Sequence, residues 1–182
     1  NYIWAVSLGG SNIDWCSSIN VDLSGDAFIT GTFIGTVDFD PSANMANLTS
    51  AGSRDAFYAK YDNGGNYIWA KRVGGPSCNT STSSVVLDSS GNLYLSGHFN
   101  GTADFDPSSG TVNLTTSAGI DEVFFAKYDT NGNYIWAKKV GSLIIYSPNS
   151  ITLDGFGNIY LTGYFQNTAD FDPNASIANL TS

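Results

Sequence analysis

The chain has 182 residues, of which 42% are hydrophobic, 14% aromatic and only 13% charged, and its formal net charge is −9. This hydrophobic share is enough for a sizeable core. Its seven basic residues are scattered, which argues against binding to nucleic-acid phosphates or to an anionic membrane surface, and no apolar run approaches the ~20 residues that span a bilayer.

One pentapeptide recurs three times along the chain: Asn-Tyr-Ile-Trp-Ala stands at residues 1–5, 66–70 and 133–137. Further anchors recur at a spacing of 66 residues, namely Asp22, Asp88 and Asp154; Asp38, Asp104 and Asp170; and Asn47, Asn113 and Asn179. Such a period, carried by short strands and Gly/Asn turns, is typical of an array whose units bury their faces against each other. We therefore interpret residues 1–182 as a single array of repeats. Repeat 1 covers 1–65, repeat 2 covers 66–132 and a truncated repeat 3 covers 133–182.

Four strands are predicted in each unit, and the chain opens on the strand that carries the pentapeptide, which we label D. Strands A, B and C follow before the next D, which gives eleven strands and no strand C in the third repeat. In the second repeat the predicted strands are A at 84–87, B at 93–99, C at 123–128 and D at 134–140. The segments 88–92 and 129–133 combine a Gly, for positive φ, with an Asp that can form an Asx-turn, so they predict tight A–B and C–D hairpins.

Strands B and C are apolar at nearly every position, which indicates that both of their faces are covered. Strand D ends in Lys-Lys or Lys-Arg, as expected of an edge strand in contact with water. The predicted fold class is therefore all-β, with four-stranded antiparallel blades of a β-propeller, strand A innermost. About three repeats make an incomplete ring, because a propeller needs about 4–8 blades to close. Either the chain is a fragment of a longer protein, which we favour, or copies associate to cover the blade faces.

Several strings of the second repeat resemble one known family of repeats. They are Gly-Asn-Leu-Tyr-Leu-Ser-Gly (91–97), Ala-Lys-Tyr-Asp (126–129), Gly-Asn-Tyr-Ile-Trp-Ala (132–137) and Val-Gly (140–141). They resemble the SBBP type of β-propeller repeat of secreted and surface-attached bacterial proteins, and the resemblance covers the whole chain. It implies an extracellular or cell-surface location in a bacterium and a seven-bladed ring, of which these units would be a part. It brings no catalytic residues with it.

The topology predicts that one face of the array is the contact surface. The short A–B and C–D turns lie on one face, and the longer connections lie on the other. The predicted D-to-A loops are 9–17, 74–83 and 141–149, and the B-to-C connections are 34–54, 100–121 and the chain after Gln166. Because binding residues are commonly held on such loops, we expect the second face to bind a partner.

An Asp-Phe-Asp-Pro motif lies in each B-to-C connection. In an extended segment its two carboxylates point the same way, while its Phe points oppositely into the blade. Paired carboxylates with loop carbonyls could begin a calcium site; alternatively, the Phe anchors the connection and the Asp residues cap turns ahead of the Pro. The candidate calcium ligands are Asp38, Asp40, Asp104, Asp106, Asp170 and Asp172.

The tryptophans are of two kinds. Trp4, Trp69 and Trp136 occupy one position of strand D and are predicted to be packing anchors. Trp15 lies in a D-to-A loop without a Trp counterpart, and Tyr146 lies in the equivalent loop of the third repeat. Exposed rings can stack on sugars or insert at protein interfaces, so Trp15 and Tyr146 are the candidate ligand-binding residues, with local packing as the alternative.

Catalysis finds little support in the sequence. The single histidine, His98, is replaced by Thr32 and Tyr164 in the other repeats, and the single glutamate, Glu122, lies in a B-to-C connection. Acid–base and nucleophilic chemistry need converging groups, so we assign no catalytic residue.

Cys16 and Cys78 lie in consecutive D-to-A loops, either as a disulfide or as free thiols.

The sequence therefore predicts a non-catalytic extracellular β-propeller scaffold for cell-surface adhesion or protein interaction. Its partners would be a protein or a surface glycan, without nucleic acid and without insertion into a membrane, and further repeats or self-association would cover the blade faces. Calcium is the one cofactor considered. The alternatives are a carbohydrate-binding module that uses loop aromatics and, less favoured, a propeller enzyme of the glycosidase or lyase type.

Overall fold

The computed structural model describes residues 3–117, 119–141, 145–174 and 176–182, with the backbone alone described for 145–147. Within these ranges there is no helix that is long and apolar enough to cross a membrane. The strands, in chain order, are β1 (Gly9–Gly10), β2 (Trp15–Val21), β3 (Ala27–Phe33), β4 (Thr36–Asp38), β5 (Asn47–Thr49), β6 (Asp55–Tyr61), β7 (Tyr67–Val73), β8 (Asn79–Leu87), β9 (Leu93–Asn100), β10 (Thr102–Asp104), β11 (Asn113–Thr115), β12 (Glu122–Tyr128), β13 (Tyr134–Val140), β14 (Ile145–Leu153), β15 (Ile159–Phe165), β16 (Thr168–Asp170) and β17 (Asn179–Thr181).

Two four-stranded antiparallel sheets and one two-stranded sheet follow one another along the chain. The first blade has the strand order β2-β3-β6-β7, the second has β8-β9-β12-β13, and the third contains β14 and β15. Because the order in each sheet follows the order in the chain, the predicted A-B-C-D blade is confirmed. The fold is all-β and built from propeller blades, and the ring is not closed.

An Asp at the first position holds each A–B and C–D turn. Oδ1 of Asp22 accepts hydrogen bonds from the amides of Ser24 and Asp26 at 2.9 and 3.0 Å, and Gly25 has a φ of 86°. The same pair of amide contacts recurs in the turns that begin at Asp62, Asp88, Asp129 and Asp154. The predicted tight hairpins are therefore confirmed.

Large apolar side chains fill the space between adjacent blades. Phe28 and Tyr58 of the first blade form one buried cluster with Leu95 and Tyr128 of the second, and the Tyr58 hydroxyl donates to the Gly132 carbonyl at 2.9 Å. Tyr94, Phe125 and Trp136 of the second blade form another cluster with Ile151 and Leu161 of the third. Burial of the B and C strands on both faces is therefore confirmed in the two complete blades.

The tryptophans of the pentapeptide pack within this framework. The Trp69 ring lies edge-on to Tyr58 and Phe28, with centroids 5.8 and 6.1 Å apart, and Trp136 makes the equivalent contacts in the second blade. The Trp4 indole N–H donates to the Asn63 carbonyl at 2.9 Å. All three are packing anchors, as predicted.

Two of the predicted boundaries are wrong. Residues 3–8 do not form the opening strand D, because a D strand pairs only with a strand C and none lies beside this segment in the described chain. The A strands begin at Trp15, Asn79 and Ile145, so the last part of each predicted D-to-A loop is strand, at 15–17, 79–83 and 145–149. Residues 142–144 of the third such loop lie outside the described residues.

Each B-to-C connection contains an additional hairpin that the sequence analysis did not predict. Its two short strands pair at three positions, as β4 with β5, β10 with β11 and β16 with β17. Each hairpin also bonds to the glycine that follows the preceding D segment: Gly9 pairs with Asp38, Gly74 exchanges backbone hydrogen bonds with Asp104, and the Gly141 amide donates to Asp170. We call these three backbone contacts the glycine junctions.

A second glycine follows in the first two junctions, at residues 10 and 75. A Cβ at either position would overlap a backbone oxygen of the adjacent hairpin, that of Thr36 or that of Thr102. The second glycine of each pair is therefore required by the close approach of two backbones.

Candidate functional site

The three additional hairpins lie together on one face of the array. We call it the hairpin face and define it by residues 36–49, 102–115 and 168–181 with the glycine junctions. Since the strands alternate in direction, the Asp-Gly turns lie on the opposite face, which we call the turn face. The hairpin face is the one that the sequence predicts as the contact surface.

The Asp-Phe-Asp-Pro motif begins at the last residue of the first strand of each hairpin and continues into the turn. Oδ1 of Asp38 accepts hydrogen bonds from the amides of Asp40 and Ala46 at 3.1 and 2.8 Å. Asp104 and Asp170 make the same pair of contacts. The second Asp of each motif accepts from the amide two residues on, as Asp40 from Ser42, Asp106 from Ser108 and Asp172 from Asn174. The carboxylates therefore cap the turn, which is the alternative to metal binding.

These contacts favour the ionised carboxylates. Hydrogen bonds from the Ser108 side chain and backbone lower the pKa of Asp106, and the amides of Ala178 and Asp172 lower the pKa of Asp170. Among the described residues, no group of three or more His, Cys, Asp or Glu side chains is placed to hold a metal ion. Calcium binding by the six Asp residues stays a prediction; calcium that left the melting temperature unchanged would count against it.

The Phe of each motif anchors its hairpin in the blade. Phe39 and Phe105 are buried, and their ring centroids lie 4.8 and 5.0 Å from those of Phe57 and Phe124 on strand C. The equivalent Phe171 is 38% exposed. The Phe carbonyls are also engaged, since the Tyr61 hydroxyl donates to Phe39 at 2.7 Å and the Tyr128 hydroxyl donates to Phe105 at 3.1 Å. Each complete blade thus fixes its hairpin by a ring and by a hydrogen bond.

A cleft lies beside the glycine junction at each of the first two hairpins. The first has a volume of about 540 Å³ and contains three carboxylates, those of Asp14, Asp38 and Asp40. The second has a volume of about 270 Å³ and contains Lys71 and Arg72 opposite Asp104 and Asp106. The first cleft is therefore acidic and the second is mixed, although both lie beside a glycine junction and a capping Asp.

Trp15 and Tyr146 are not brought together. The placement of Trp15 in a loop is wrong, because it is the first residue of β2, where it pairs with Thr32 and is 45% exposed. Tyr146 belongs to β14, and its side chain lies outside the described residues. Strand β8 contacts both β2 and β14, so the two residues lie on non-adjacent strands of type A.

The acidic residue that opens each complete strand C is buried and paired. Glu122, expected in a connection, is the first residue of β12; it accepts from the Lys139 ammonium at 2.6 Å and from the Ser117 amide at 3.0 Å. Asp55 makes the same contacts with Arg72 and the Ala51 amide. Both oxygens of Glu122 and Oδ2 of Asp55 therefore have structural partners, while Oδ1 of Asp55 is buried without one among the described residues.

The single histidine lies on β9 and is partly buried. Its Nδ1 finds no hydrogen-bond partner in the described part of the chain. Burial lowers the pKa of His98, Asp121 acts in the opposite direction, and Arg54 adds to the lowering. Burial therefore disfavours the charged imidazolium.

Both cysteines are free. Cys16 is exposed on β2 rather than in the predicted loop, whereas Cys78 is buried ahead of β8 with its sulfur 3.0 Å from the Thr80 hydroxyl. Burial raises the pKa of both thiols, and Asp14 adds to the effect at Cys16.

Two groups of residues that position the hairpin face were not found from the sequence. They are the glycines of the junctions and the tyrosine that ends strand C, Tyr61 or Tyr128. A signal for both exists, because an aliphatic residue followed by Gly recurs at 8–9, 73–74 and 140–141, and Ala-Lys-Tyr-Asp recurs at 59–62 and 126–129. The role of these glycines and tyrosines is to hold the additional hairpin, and the sequence analysis did not predict that hairpin.

Comparison with known proteins identifies the type of repeat. Two segments, 68–106 and 132–164, match the family model described as SBBP, β-propeller repeat, so the chain carries SBBP-type repeats. The chain is also 26% identical over 185 aligned residues to an uncharacterized WD repeat-containing protein of Acanthamoeba polyphaga mimivirus. That alignment covers 90% of this chain and 13% of the viral protein, so the chain spans a small part of the relative that it matches.

Proposed function

We propose that this chain of SBBP-type repeats is a non-catalytic β-propeller scaffold that binds another protein through its hairpin face. The observation that carries the proposal is the contrast between the two clefts. Their framework of glycine junction, capping Asp, buried Phe and Tyr hydroxyl is the same, while Arg72 of the second cleft takes the position of Ser7 in the first, and Lys71 takes the position of Val6. A fixed framework with different lining side chains suits a recognition surface.

The mimivirus relative supports the same general role. Its name describes WD repeats, which build four-stranded propeller blades. The ion pairs of Asp55 with Arg72 and of Glu122 with Lys139 also favour a scaffold over an enzyme, because they engage the buried carboxylates.

The hairpins are well suited to binding because they are already ordered. Each is fixed by its internal pairing and its capping Asp, and in the complete blades by a buried Phe ring and a Tyr hydroxyl. A surface held in this way loses little conformational entropy when it binds.

The charge of the hairpin face defines the kind of partner. The first cleft contains three carboxylates, and the whole chain has a net charge of −9. We infer that the partner presents a basic patch, and that association slows and weakens as salt screens the two surfaces.

We place this scaffold outside the cell, at the surface of a bacterium, where it would act in adhesion. The support for this location is the resemblance to repeats of secreted and surface-attached proteins. Cleavage of the protein on intact cells by an added protease would test it; complete protection until the cells are lysed would contradict it.

A photo-crosslinking side chain tests the contact surface directly. Ser109 on the hairpin face and Ser89 on the turn face are both exposed serines, so they form a matched pair of insertion sites. The expected result is a specific crosslink to one protein of the source organism from residue 109, weakened by added salt, and none from residue 89. Equal crosslinking from the two faces, or none from residue 109, would contradict the proposal.

Glycan binding is the second candidate, and the exposure of Trp15 favours it. A sugar that stacks on this ring should change its fluorescence, and Trp15→Phe should remove that change. A panel of surface polysaccharides that leaves the fluorescence of the wild type unaltered would exclude this candidate for those sugars.

A further inference from the structure

The outer edge of β15 carries no strand in the described part of the chain, although the equivalent strands of the other blades do. Strand β3 pairs with β6 along seven residues, and β9 pairs with β12 in the same register. Residues of β9 are therefore almost all buried, whereas Tyr160 and Tyr164 of β15 are both more than half exposed. The third blade thus presents an unpaired edge on a framework built for pairing.

An apolar groove follows this edge. It has a volume of about 690 Å³ and runs between β15, the second blade and the third hairpin. Its lining includes Val123, Phe125, Val140, Leu161, Phe165 and Phe171. The groove is lined by Val123 and Phe125 of β12 and by residues of β15 from Ile159 to Phe165, so it joins the second blade to the edge of β15.

Three contacts in the complete blades show which side chains this edge accepts. The first is the phenylalanine at the third position of strand C, Phe57 or Phe124. A Cβ at the strand-B glycine opposite it, Gly31 or Gly97, would lie 2.6–2.8 Å from that ring, so the missing side chain makes room for the phenylalanine. Gly163 occupies the same position in β15.

The second contact is the lysine at the sixth position. Lys127 lies 4.7 Å from the centroid of the Tyr94 ring and 3.2 Å from the Asp88 carboxylate. In the third blade Tyr160 and Asp154 occupy these positions, with the Tyr160 hydroxyl 3.3 Å from the carboxylate. A lysine at this position of an added strand would lie on the face of β15 away from the groove, where it would meet the same ring and the same charge.

The third contact is the tyrosine at the seventh position. In the complete blades its hydroxyl donates to the carbonyl of the hairpin Phe, that of Phe39 or Phe105. The equivalent Phe171 already lies against Phe165, with ring centroids 5.1 Å apart, and its ring is 38% exposed on the groove.

We propose that the β15 edge and its groove bind an extended strand of the type that β6 and β12 exemplify, supplied by a further repeat unit of the same kind. The strand reads acidic residue, small apolar residue, Phe, aromatic residue, Ala, Lys, Tyr, and it runs antiparallel with its acidic residue opposite Phe165 and its Tyr opposite Ile159. Backbone hydrogen bonds along the edge provide affinity, and the Phe, Lys and Tyr provide specificity. This surface meets the hairpin face only at the third hairpin, and the peptide test does not involve the partner of the hairpin face, so either proposal can fail while the other stands.

The test uses the whole 182-residue chain and a peptide with the sequence of residues 121–140, which contains one such strand with its following D strand. Amide hydrogen exchange should slow in residues 159–165 when the peptide is added, and fluorescence anisotropy of the labelled peptide gives the Kd. A peptide with Phe124→Asp and Lys127→Glu should bind at least about tenfold more weakly, because two of the three contacts are lost.

Substitutions in the protein provide the matched control. Phe171→Ser removes a half-buried ring of the groove and should raise the Kd about tenfold, whereas Phe156→Ser removes a ring that is 95% exposed in the β14–β15 turn and should leave it unchanged. The proposal is overturned if the peptide does not protect β15, or if the substituted peptide protects it equally. It is also overturned if the two Phe variants bind alike. The comparison of peptides keeps the test decisive even if Phe171→Ser destabilises the third hairpin.

Discussion

Phe105 is the residue whose removal tests the anchoring of the hairpin face most directly. Its ring is fully buried and lies edge-on to two others, with centroids 5.0 Å from Phe124 and 5.6 Å from Phe99. Phe105→Ala removes the transfer free energy of a buried ring and leaves a cavity that close-packed neighbours cannot fill. We expect a loss of about 3–5 kcal/mol in the free energy of unfolding.

The equivalent Phe171 provides an internal comparison. It is 38% exposed and lies against one ring, that of Phe165. Because water can occupy the space that it leaves, Phe171→Ala should lose only the transfer term of its buried part, about 1–2 kcal/mol. The two variants therefore make the same chemical change in two environments.

Urea unfolding followed by tryptophan fluorescence and far-UV circular dichroism measures both losses, with the slope compared between variants. Amide hydrogen exchange in residues 102–115 shows whether the lost free energy is local to the second hairpin, as expected if the ring anchors it. A loss at Phe105 below about 1.5 kcal/mol, or no larger than the loss at Phe171, would refute the anchoring of the hairpin by its Phe.

Three further predictions concern polar groups. Asp104→Ala leaves two turn amides without their acceptor and should cost about 1–3 kcal/mol of unfolding free energy, whereas Asp104→Asn keeps an acceptor oxygen and should cost less; equal losses in urea would contradict turn capping. Because burial lowers the pKa of His98 below its ordinary 6.5, the unfolded chain takes up a proton first as the pH falls, and the wild type loses stability below about pH 6.5. His98→Thr, which copies Thr32, should reduce this acid sensitivity, and parallel curves of stability against pH for the two proteins would show that the imidazole is not responsible. Arg72→Met leaves the Asp55 carboxylate buried without its cation and should cost about 2–4 kcal/mol, less than for a fully buried pair because the Arg72 side chain is 35% exposed. Arg72→Lys should recover much of that loss, and calorimetry of the two variants would measure the difference.

The blade and its turns could be predicted because their signals are local. Asp88 and Gly91 fix one turn within five residues, and strands such as 93–99 are apolar at most positions. The beginning of strand A gives no such signal, since Asn79 to Ser84 is entirely Asn, Ser and Thr. These side chains bond to the neighbouring blade, as when the Thr82 hydroxyl donates to the Gly31 carbonyl at 2.9 Å. A polar strand of this kind is recognised only when its partner is known.

The candidate site was predictable in part for the same reason. The capping role of Asp38 and the inward direction of Phe39 follow from the motif itself, and the structure shows both. The hairpin strands 36–38 and 47–49 have three residues each, too few for a periodic pattern. Pairing of Gly9 with Asp38 joins residues that lie in separate connections, so no local pattern contains it.

The glycine junctions bear on how such a chain can change over evolutionary time. They join one unit to the next through main-chain hydrogen bonds. The contact therefore requires only a glycine after the D segment and a short strand in the hairpin. Any unit that keeps these two elements can follow any other at this contact without a matching substitution. Tandem duplication, deletion or exchange of units by recombination therefore preserves this contact between neighbouring units. Each copy can then acquire its own cleft residues.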